Sequence, residues 1–95
     1  MYIVFGCGST GNAVLETLTK ADKEVLVVDR DEAVLSKWKD RHVQVITSEM
    51  TTFDLNNPFC VNASVILVLT GDSENNLILL QKLKEKFPNK FILVK

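Results

Sequence analysis

Three glycines near the start of the chain have the spacing of a phosphate-binding turn. The segment after the first apolar run reads Gly6-Cys7-Gly8-Ser9-Thr10-Gly11. In such a turn the first glycine permits a tight bend, the second lets the backbone approach a pyrophosphate, and the third lets helix and strand pack closely. A helix starting near Ser9 or Thr10 directs free N–H groups and its positive dipole end at the phosphates, and both hydroxyls can add hydrogen bonds. The alternative is a glycine-rich turn that binds nothing.

An aspartate stands where this type of turn requires a ribose ligand. Asp29 ends the β-branched run Val25–Val28, eighteen residues after Gly11. A carboxylate there can accept hydrogen bonds from both ribose hydroxyls of an adenosine and repels a 2′-phosphate, which favours NAD or adenine nucleotides over NADP. Arg30 weakens this exclusion, because a guanidinium can accommodate a phosphate. Asp31 is interpreted as a helix cap, and the alternative for Asp29 is a solvated carboxylate at a strand end.

Strand-like and helical segments alternate along the chain and must position these residues. The predicted strands are Tyr2–Phe5, Val25–Asp29, Val43–Thr47, Val65–Leu69 and Phe91–Val94. Helices are predicted after the glycine turn, after Asp31, and from a Ser73 cap to about Lys86, whereas Asn56-Asn57-Pro58 breaks any helix in the irregular stretch Glu49–Asn62. This alternation predicts an α/β, Rossmann-like three-layer fold. Its five-stranded parallel sheet has the order 3-2-1-4-5, and the ligand lies where the order reverses.

Length and charge limit the classes of protein. With 95 residues the chain has room for one domain, residues 1–95. A net charge of −1 argues against a nucleic-acid partner. Cys7 and Cys60 lack metal-ligand spacing and fit a reduced, cytoplasmic protein. We interpret Cys7 as a small side chain that fits the turn, and His42 as a surface or strand-edge residue. The apolar last strand is interpreted as the end of a truncated chain or of the front module of a longer protein.

The last predicted helix carries more apolar residues than one core face needs. The expected core stripe is Leu77, Leu80, Leu83 and Phe87, with Ile78 and Leu79 pointing elsewhere. A helix that is apolar all round is either buried on both sides or part of an interface. For so short a chain we expect an interface in a homo-oligomer, a dimer or higher.

Three segments together resemble the RCK domain, also called KTN or TrkA-N. They are the glycine turn, the Val27-Val28-Asp29-Arg30-Asp31 end of the second strand, and the stretch Leu69-Thr70-Gly71-Asp72-Ser73-Glu74-Asn75-Asn76. The resemblance covers essentially the whole chain and implies a cytoplasmic domain, peripheral to a membrane channel or transporter, that binds NAD(H), ATP, ADP or AMP. It also implies that Thr70, Gly71 and Asp72 border the second half of a dinucleotide and that Asn76 orders this loop.

The stretch after the third strand departs from the family pattern. The family carries Gly-Asp and a small residue near the adenine, where this chain has Thr47-Ser48-Glu49-Met50. Ser48 replaces the glycine and Glu49 is a longer acid in the acidic position. An adenine contact at Ser48 and Glu49 is therefore open, as is the choice between a dinucleotide and a mononucleotide.

The resemblance implies a regulatory nucleotide-binding domain of a potassium channel or transporter, and not an enzyme. Ligands that reach different distances across the cleft would favour different conformations, as differential affinity requires. Two alternatives stay open. One is the N-terminal nucleotide-sensing module of a DHH-type phosphoesterase, and the other is the cofactor domain of a truncated NAD-dependent oxidoreductase, which would need a substrate domain and a general acid or base.

Overall fold

The computed structural model describes residues 1–41 and 43–95, so the interpretation of His42 falls outside the described residues. The strands are β1 (Tyr2–Phe5), β2 (Val25–Asp29), β3 (Gln44–Thr47), β4 (Val65–Val68) and β5 (Phe91–Val94). The helices are α1 (Ser9–Lys20), α2 (Glu32–Lys39), α3 (Pro58–Asn62) and α4 (Ser73–Lys86), with a 3₁₀ turn at Met50–Thr52. None of the helices in these two ranges is long and apolar enough to cross a membrane.

All five strands pair in parallel in the order β3-β2-β1-β4-β5, which confirms the predicted Rossmann-like topology. Phe5 at the end of β1 lies opposite Val28 of β2 and Val68 of β4. The three central strands therefore end at the same level. This register brings the segments that follow them together at one edge of the sheet, beside the point where the strand order reverses.

Each face of the sheet is covered by its own apolar layer. Trp38, Leu35 and Leu15 are fully buried with α1 and α2 against one face. Leu79 and Leu83 of α4 pack with Cys60 of α3 and with Ile66 and other strand residues against the opposite face. Continuous β-branched runs such as Val25–Val28 are buried because a parallel sheet is covered on both sides.

The structure corrects the predicted start of α4 and its core stripe. The N-cap is Asp72 rather than Ser73: its carboxylate accepts a hydrogen bond from the Asn75 N–H at 3.0 Å. The helix therefore begins at Ser73, one residue earlier than a Ser73 cap would start it. Its core stripe is set by buried Asn76, whose side chain bonds to Thr70 in the preceding loop. Leu83 of the predicted stripe is buried and Phe87 packs against the core, as expected. Leu79, which was expected to point elsewhere, is also buried, whereas Leu77 is 63% exposed.

The irregular stretch contains a short helix that was not predicted. Asn57 accepts a hydrogen bond from the Phe59 N–H at 2.9 Å, and Pro58 occupies the first turn of α3. Proline is favoured in the first turn because its missing N–H needs no partner there. The Asn-Pro pair thus begins a helix here, besides separating it from the 3₁₀ turn.

Candidate functional site

A cleft of about 760 Å³ lies at the carboxyl edge of the sheet, between the β1–α1 turn and the β4–α4 loop. Ten of the predicted site residues line it, namely Gly6, Cys7, Gly8, Asp29, Arg30, Ser48, Glu49, Thr70, Gly71 and Asp72. The other three, Ser9, Thr10 and Gly11, do not line it and lie in the first turn of α1. The fold thus gathers most of the predicted set from four separate segments.

The three glycines of the turn meet three different constraints. Gly6 has a φ of +102°, and a Cβ there would lie 2.8 Å from the backbone nitrogen of Thr70. A Cβ on Gly11 would lie 2.0 Å from the carbonyl oxygen of Gly6, so only glycine lets α1 pack this closely on the turn. A Cβ on Gly8 would meet no atom within 4 Å. Gly6 and Gly11 therefore serve the fold, whereas Gly8 leaves open space on the cleft.

The N-terminus of α1 differs from those of the other α-helices. Asp31, Asn57 and Asp72 each cap the helix that follows with a side-chain acceptor. Gly8, the N-cap of α1, has no side chain to do so, and the first intrahelical bond runs from the Asn12 N–H to the Gly8 carbonyl. The N–H groups of the first turn consequently lack an intrahelical partner, which makes this end of α1 suited to an anion.

Asp29 links the end of β2 to the glycine turn. Its Oδ2 accepts a hydrogen bond from the Cys7 N–H at 2.8 Å, and its Oδ1 accepts one from the Asp31 N–H at 2.8 Å. Each carboxylate oxygen keeps a further lone pair for a ligand. The structure therefore adds a second role, since the predicted ribose ligand also holds the turn in place.

The loop between β4 and α4 is fixed by buried Asn76. Its side-chain amide donates to the Thr70 carbonyl at 2.9 Å, and its Oδ1 accepts a hydrogen bond from the Thr70 hydroxyl. Thr70 in turn packs against the α-carbon side of Gly6. The ordering role expected of Asn76 is confirmed, and it fixes the loop against the glycine turn on the other side of the cleft.

Ser48 and Glu49 extend the cleft beyond the end of β3. The Ser48 N–H donates to the Asp29 carbonyl at 3.0 Å, which continues the β2–β3 pairing up to the cleft. Met50 lies beside them and also lines the cleft. Ser48 and Glu49, the two departures from the family pattern, therefore line the cleft. That they contact a ligand stays a prediction.

Several residues of the cleft were missed by sequence reasoning. Val34, Met50 and Asn75 line it, together with Val28, Asp31, Ser73 and Glu74. Val34 lies on the side of α2 that faces the cleft and is 36% exposed. The cap predicted at Asp31 was a usable signal for Val34, because it starts α2 directly after the end of β2.

The Cys7 thiol is buried beneath the turn. Burial, with a smaller contribution from the negative charge of Asp29, raises the pKa of this thiol. The thiol contacts the side-chain oxygen of Asn12, which also accepts a hydrogen bond from the Trp38 indole N–H at 2.8 Å. A protonated thiol is a poor nucleophile, so this environment favours the interpretation of Cys7 as a side chain that fits the turn.

Two solved structures are similar to the whole chain. The first is the TrkA-N domain of the inner membrane protein YbaL from Escherichia coli, with a TM-score of 0.84 and 14% identity. The second is the NAD(P)-binding domain of an exopolyphosphatase-related protein from Archaeoglobus fulgidus, with a TM-score of 0.76 and 26% identity. In both comparisons the match covers 98% of this chain and 70% of the other. No curated protein sequence matches closely enough to add a further relative.

The sequence profile of the TrkA-N domain matches residues 2–95. The match includes the glycine turn, Asp29 and the loop held by Asn76, and the strand order of the sheet agrees with that of the solved domains. The chain belongs to the TrkA-N domain family.

Proposed function

We propose that the cleft binds NAD(H), and that the domain is a nucleotide-sensing regulatory module. The observation that carries the proposal is the uncapped N-terminus of α1 at Gly8, which lines the cleft beside the Asp29 carboxylate that bonds to the Cys7 N–H. A pyrophosphate accepts hydrogen bonds from the free N–H groups of α1. The adenosine ribose donates its two hydroxyls to the remaining lone pairs of Asp29.

The charge of the cleft favours a nucleotide with few phosphate charges. One guanidinium, that of Arg30, faces five carboxylates, which belong to Asp29, Asp31, Glu49, Asp72 and Glu74. A 2′-phosphate would add negative charge beside Asp29 and Asp31, so NADP is expected to bind more weakly than NAD. Metal-free ATP is disfavoured for the same reason, whereas ADP and AMP are the alternative ligands.

The polar side chains of the cleft support a binding role rather than catalysis. Asp29 accepts from two backbone N–H groups, Asp31 and Asp72 cap α2 and α4, and Asn76 bonds to Thr70. Each of these contacts shapes the backbone around the cleft. We therefore propose a non-enzymatic domain, and the oxidoreductase alternative has no observation in its favour.

The cleft lies between two segments of the structure, and a bound ligand can favour one distance between them over another. The pyrophosphate would contact the start of α1, and the second half of the dinucleotide would contact Thr70, Gly71 and Asp72 at the start of α4. A ligand that reaches both segments favours conformations in which they lie close, whereas a mononucleotide contacts only one. A difference in affinity between conformations is what a sensor requires.

We propose a potassium channel or transporter as the regulated partner, on the ground of family membership. A second candidate is regulation of a fused phosphoesterase. It is favoured by the 26% identity to a domain of an exopolyphosphatase-related protein. The two candidates share the same nucleotide site and differ in what the domain is attached to. Potassium flux or phosphoesterase activity of the complete protein, measured with and without the nucleotide, distinguishes them.

Calorimetric titration tests the proposed ligand. We expect NAD and NADH to bind with micromolar dissociation constants, and NADP at least about tenfold more weakly, since one unfavourable interaction of about 1.4 kcal/mol has that effect. The single tryptophan, Trp38, offers a second readout through energy transfer to the dihydronicotinamide of NADH. Absence of binding below millimolar for all of NAD, NADH, ATP, ADP and AMP would contradict the proposal.

A further inference from the structure

The side-chain oxygen of Asn12 is a hydrogen-bond acceptor shared by two elements beside the glycine turn. It accepts from the indole N–H of Trp38 in α2 at 2.8 Å. It also accepts from the Cys7 thiol, with 3.6 Å between sulfur and oxygen. Neither Asn12 nor Trp38 lines the cleft. This oxygen therefore joins the turn, α1 and α2 at a place that a ligand in the cleft does not touch.

Trp38 gives this oxygen a fixed partner. Its side chain is fully buried, and a buried indole N–H without an acceptor is costly. The Cζ atom of Arg41 lies 4.7 Å from the centre of the Trp38 ring. The same guanidinium donates two hydrogen bonds, at 2.7 and 3.1 Å, to the carboxylate of Glu16 in α1. The two helices are thus joined at two places one helical turn apart, and the contact of Asn12 is the one nearer the cleft.

Asn12 also closes the turn of helix at which we place the phosphates. Its backbone N–H donates to the Gly8 carbonyl at 2.8 Å, so residues 9–11 carry the N–H groups without an intrahelical partner. Cys7 is bonded through its thiol to Asn12 and through its N–H to the Asp29 carboxylate at 2.8 Å. A displacement of Asn12 consequently moves the phosphate-binding N–H groups relative to the carboxylate that we propose for the ribose.

We propose that Asn12 is a positioning residue for the nucleotide, which fixes the start of α1 by accepting hydrogen bonds from Trp38 and Cys7. The inference rests on the proposed function, because it concerns the distance between the phosphate and ribose contacts of the same cleft. A binding site is held in its productive geometry by side chains that are themselves fixed by packing and hydrogen bonds. Asn12 is fixed in this way by a fully buried tryptophan.

Calorimetric titration with NAD and with ADP tests this role on two variants of Asn12. Asn12→Leu keeps a side chain of similar size but removes the acceptor, so both ligands should bind about tenfold more weakly. Asn12→Asp keeps the acceptor and adds a negative charge beside the turn. It should bind NAD less tightly than the wild type but more tightly than Asn12→Leu, whereas an influence of charge alone predicts the reverse order of the two variants.

Glu16→Gln is the matched control, because it weakens the contact between the same two helices one turn further from the cleft. Its affinity for NAD should stay within a factor of about two of the wild type, since the pair it weakens is exposed. Circular dichroism and urea unfolding check that each variant is folded, so that a loss of affinity is measured on native protein.

The one indole N–H of the chain supplies a signal that a merely stabilising bond would not give. On addition of NAD the NMR resonance of the Trp38 indole N–H should shift in the wild type, because Asn12 ties it to the turn, although Trp38 lies outside the cleft. In Asn12→Leu the same resonance should not respond to NAD. The measurement on the wild type does not depend on whether the leucine variant folds.

The positioning role alone is overturned if the wild type binds NAD and Asn12→Leu binds it equally tightly, or more tightly than Asn12→Asp. It is also overturned if Glu16→Gln weakens binding as much as Asn12→Leu, or if the indole resonance of the wild type does not shift with NAD. A wild type that binds none of NAD, NADH, ATP, ADP and AMP would refute the proposed function, and the role of Asn12 with it.

Discussion

Replacement of Gly8 by alanine separates the demands of the ligand from those of the fold. Gly8 has φ −76° and ψ −159°, which alanine adopts without strain, and its Cβ would meet no atom within 4 Å. Glycine is slightly better than alanine as an N-cap, but alanine restricts the unfolded chain, so the two effects nearly cancel. We expect the free energy of unfolding to change by less than about 1 kcal/mol, which corresponds to a shift in Tm of at most ~4–8 °C.

The same methyl group should strongly weaken nucleotide binding. It projects into the space where the pyrophosphate approaches the backbone, and displacing the phosphates lengthens their hydrogen bonds to the N–H groups of α1. Hydrogen bonds to charged groups are worth about 1.5–3 kcal/mol each, so the loss of one lowers affinity at least about tenfold. Calorimetric titration with NAD measures this effect, and urea unfolding measures the stability of the same sample.

Two other glycines provide controls of opposite kind. Gly71→Ala adds a Cβ that also meets no atom within 4 Å, so it should preserve stability. It should also preserve the binding of ADP, which carries the two phosphates but lacks the second half of the dinucleotide, whereas Gly8→Ala should weaken ADP as it weakens NAD. Gly11→Ala places a Cβ 2.0 Å from the Gly6 carbonyl oxygen and should destabilise the fold by at least about 3 kcal/mol. If Gly8→Ala binds NAD as tightly as the wild type, the pyrophosphate does not lie on this turn and the reasoning is refuted.

Three further predictions concern other contacts of the cleft. Asp29→Asn should weaken NAD binding about 10- to 100-fold by titration, because it removes an acceptor of two ribose hydroxyls. The control Asp31→Asn removes the same charge but keeps a capping side chain, so its affinity for NAD should stay within a factor of about two of the wild type. Equal losses of affinity in the two variants would place the ribose elsewhere. Asn76→Ala should lower the free energy of unfolding, measured by urea denaturation, by about 2–3 kcal/mol, because it leaves buried polar groups unpaired. A loss below about 0.5 kcal/mol would show that the hydrogen bonds of Asn76 do not hold the loop. Burial raises the pKa of the Cys7 thiol and raises that of Cys60 to about 11, so a disulfide reagent at pH 8 should label both only as the protein unfolds; rapid labelling of the native protein would contradict this.

The topology was predictable because local signals agree with the long-range structure. Each β-branched run is short enough to be a strand, and each is followed by a turn signal and a helical period. Right-handed crossovers then leave few strand orders to consider. The glycine turn and Asp29 were also recognisable from the sequence, because each lies at the end of a predicted strand and the two strands are neighbours in the sheet.

The phase of α4 was not predictable from its own residues. Leu77, Leu79, Leu80 and Leu83 permit more than one apolar stripe, and the sequence period alone favoured the stripe with Leu77. The structure keeps Leu83 in the core but buries Leu79 in place of Leu77, because Asn76 turns inward to bond with Thr70. A polar residue in a loop contact thus decides the burial of the apolar residues after it.

The double role of Asp29 was also beyond sequence reasoning. Its bond to the Cys7 N–H joins residues that are 22 positions apart, and it depends on the register of β1 against β2. In the same way Val34 and Met50 reach the cleft only through the packing of α2 and of the 3₁₀ turn. Residues that line a site through packing leave no spacing in the sequence by which to find them.

Amide chemical-shift mapping by NMR tests the central claim most directly, because it shows where the nucleotide lies in a chain of 95 residues. On addition of NAD, we predict the largest shifts at the N–H groups of Gly8, Ser9 and Thr10, at Asp29 to Asp31, and in the loop that begins at Thr70. The amides on the solvent-facing side of α4 beyond Leu77 and those of β5 should change little. Shifts confined to α4 or β5, with none in the glycine turn, would contradict the claim that this cleft holds the nucleotide.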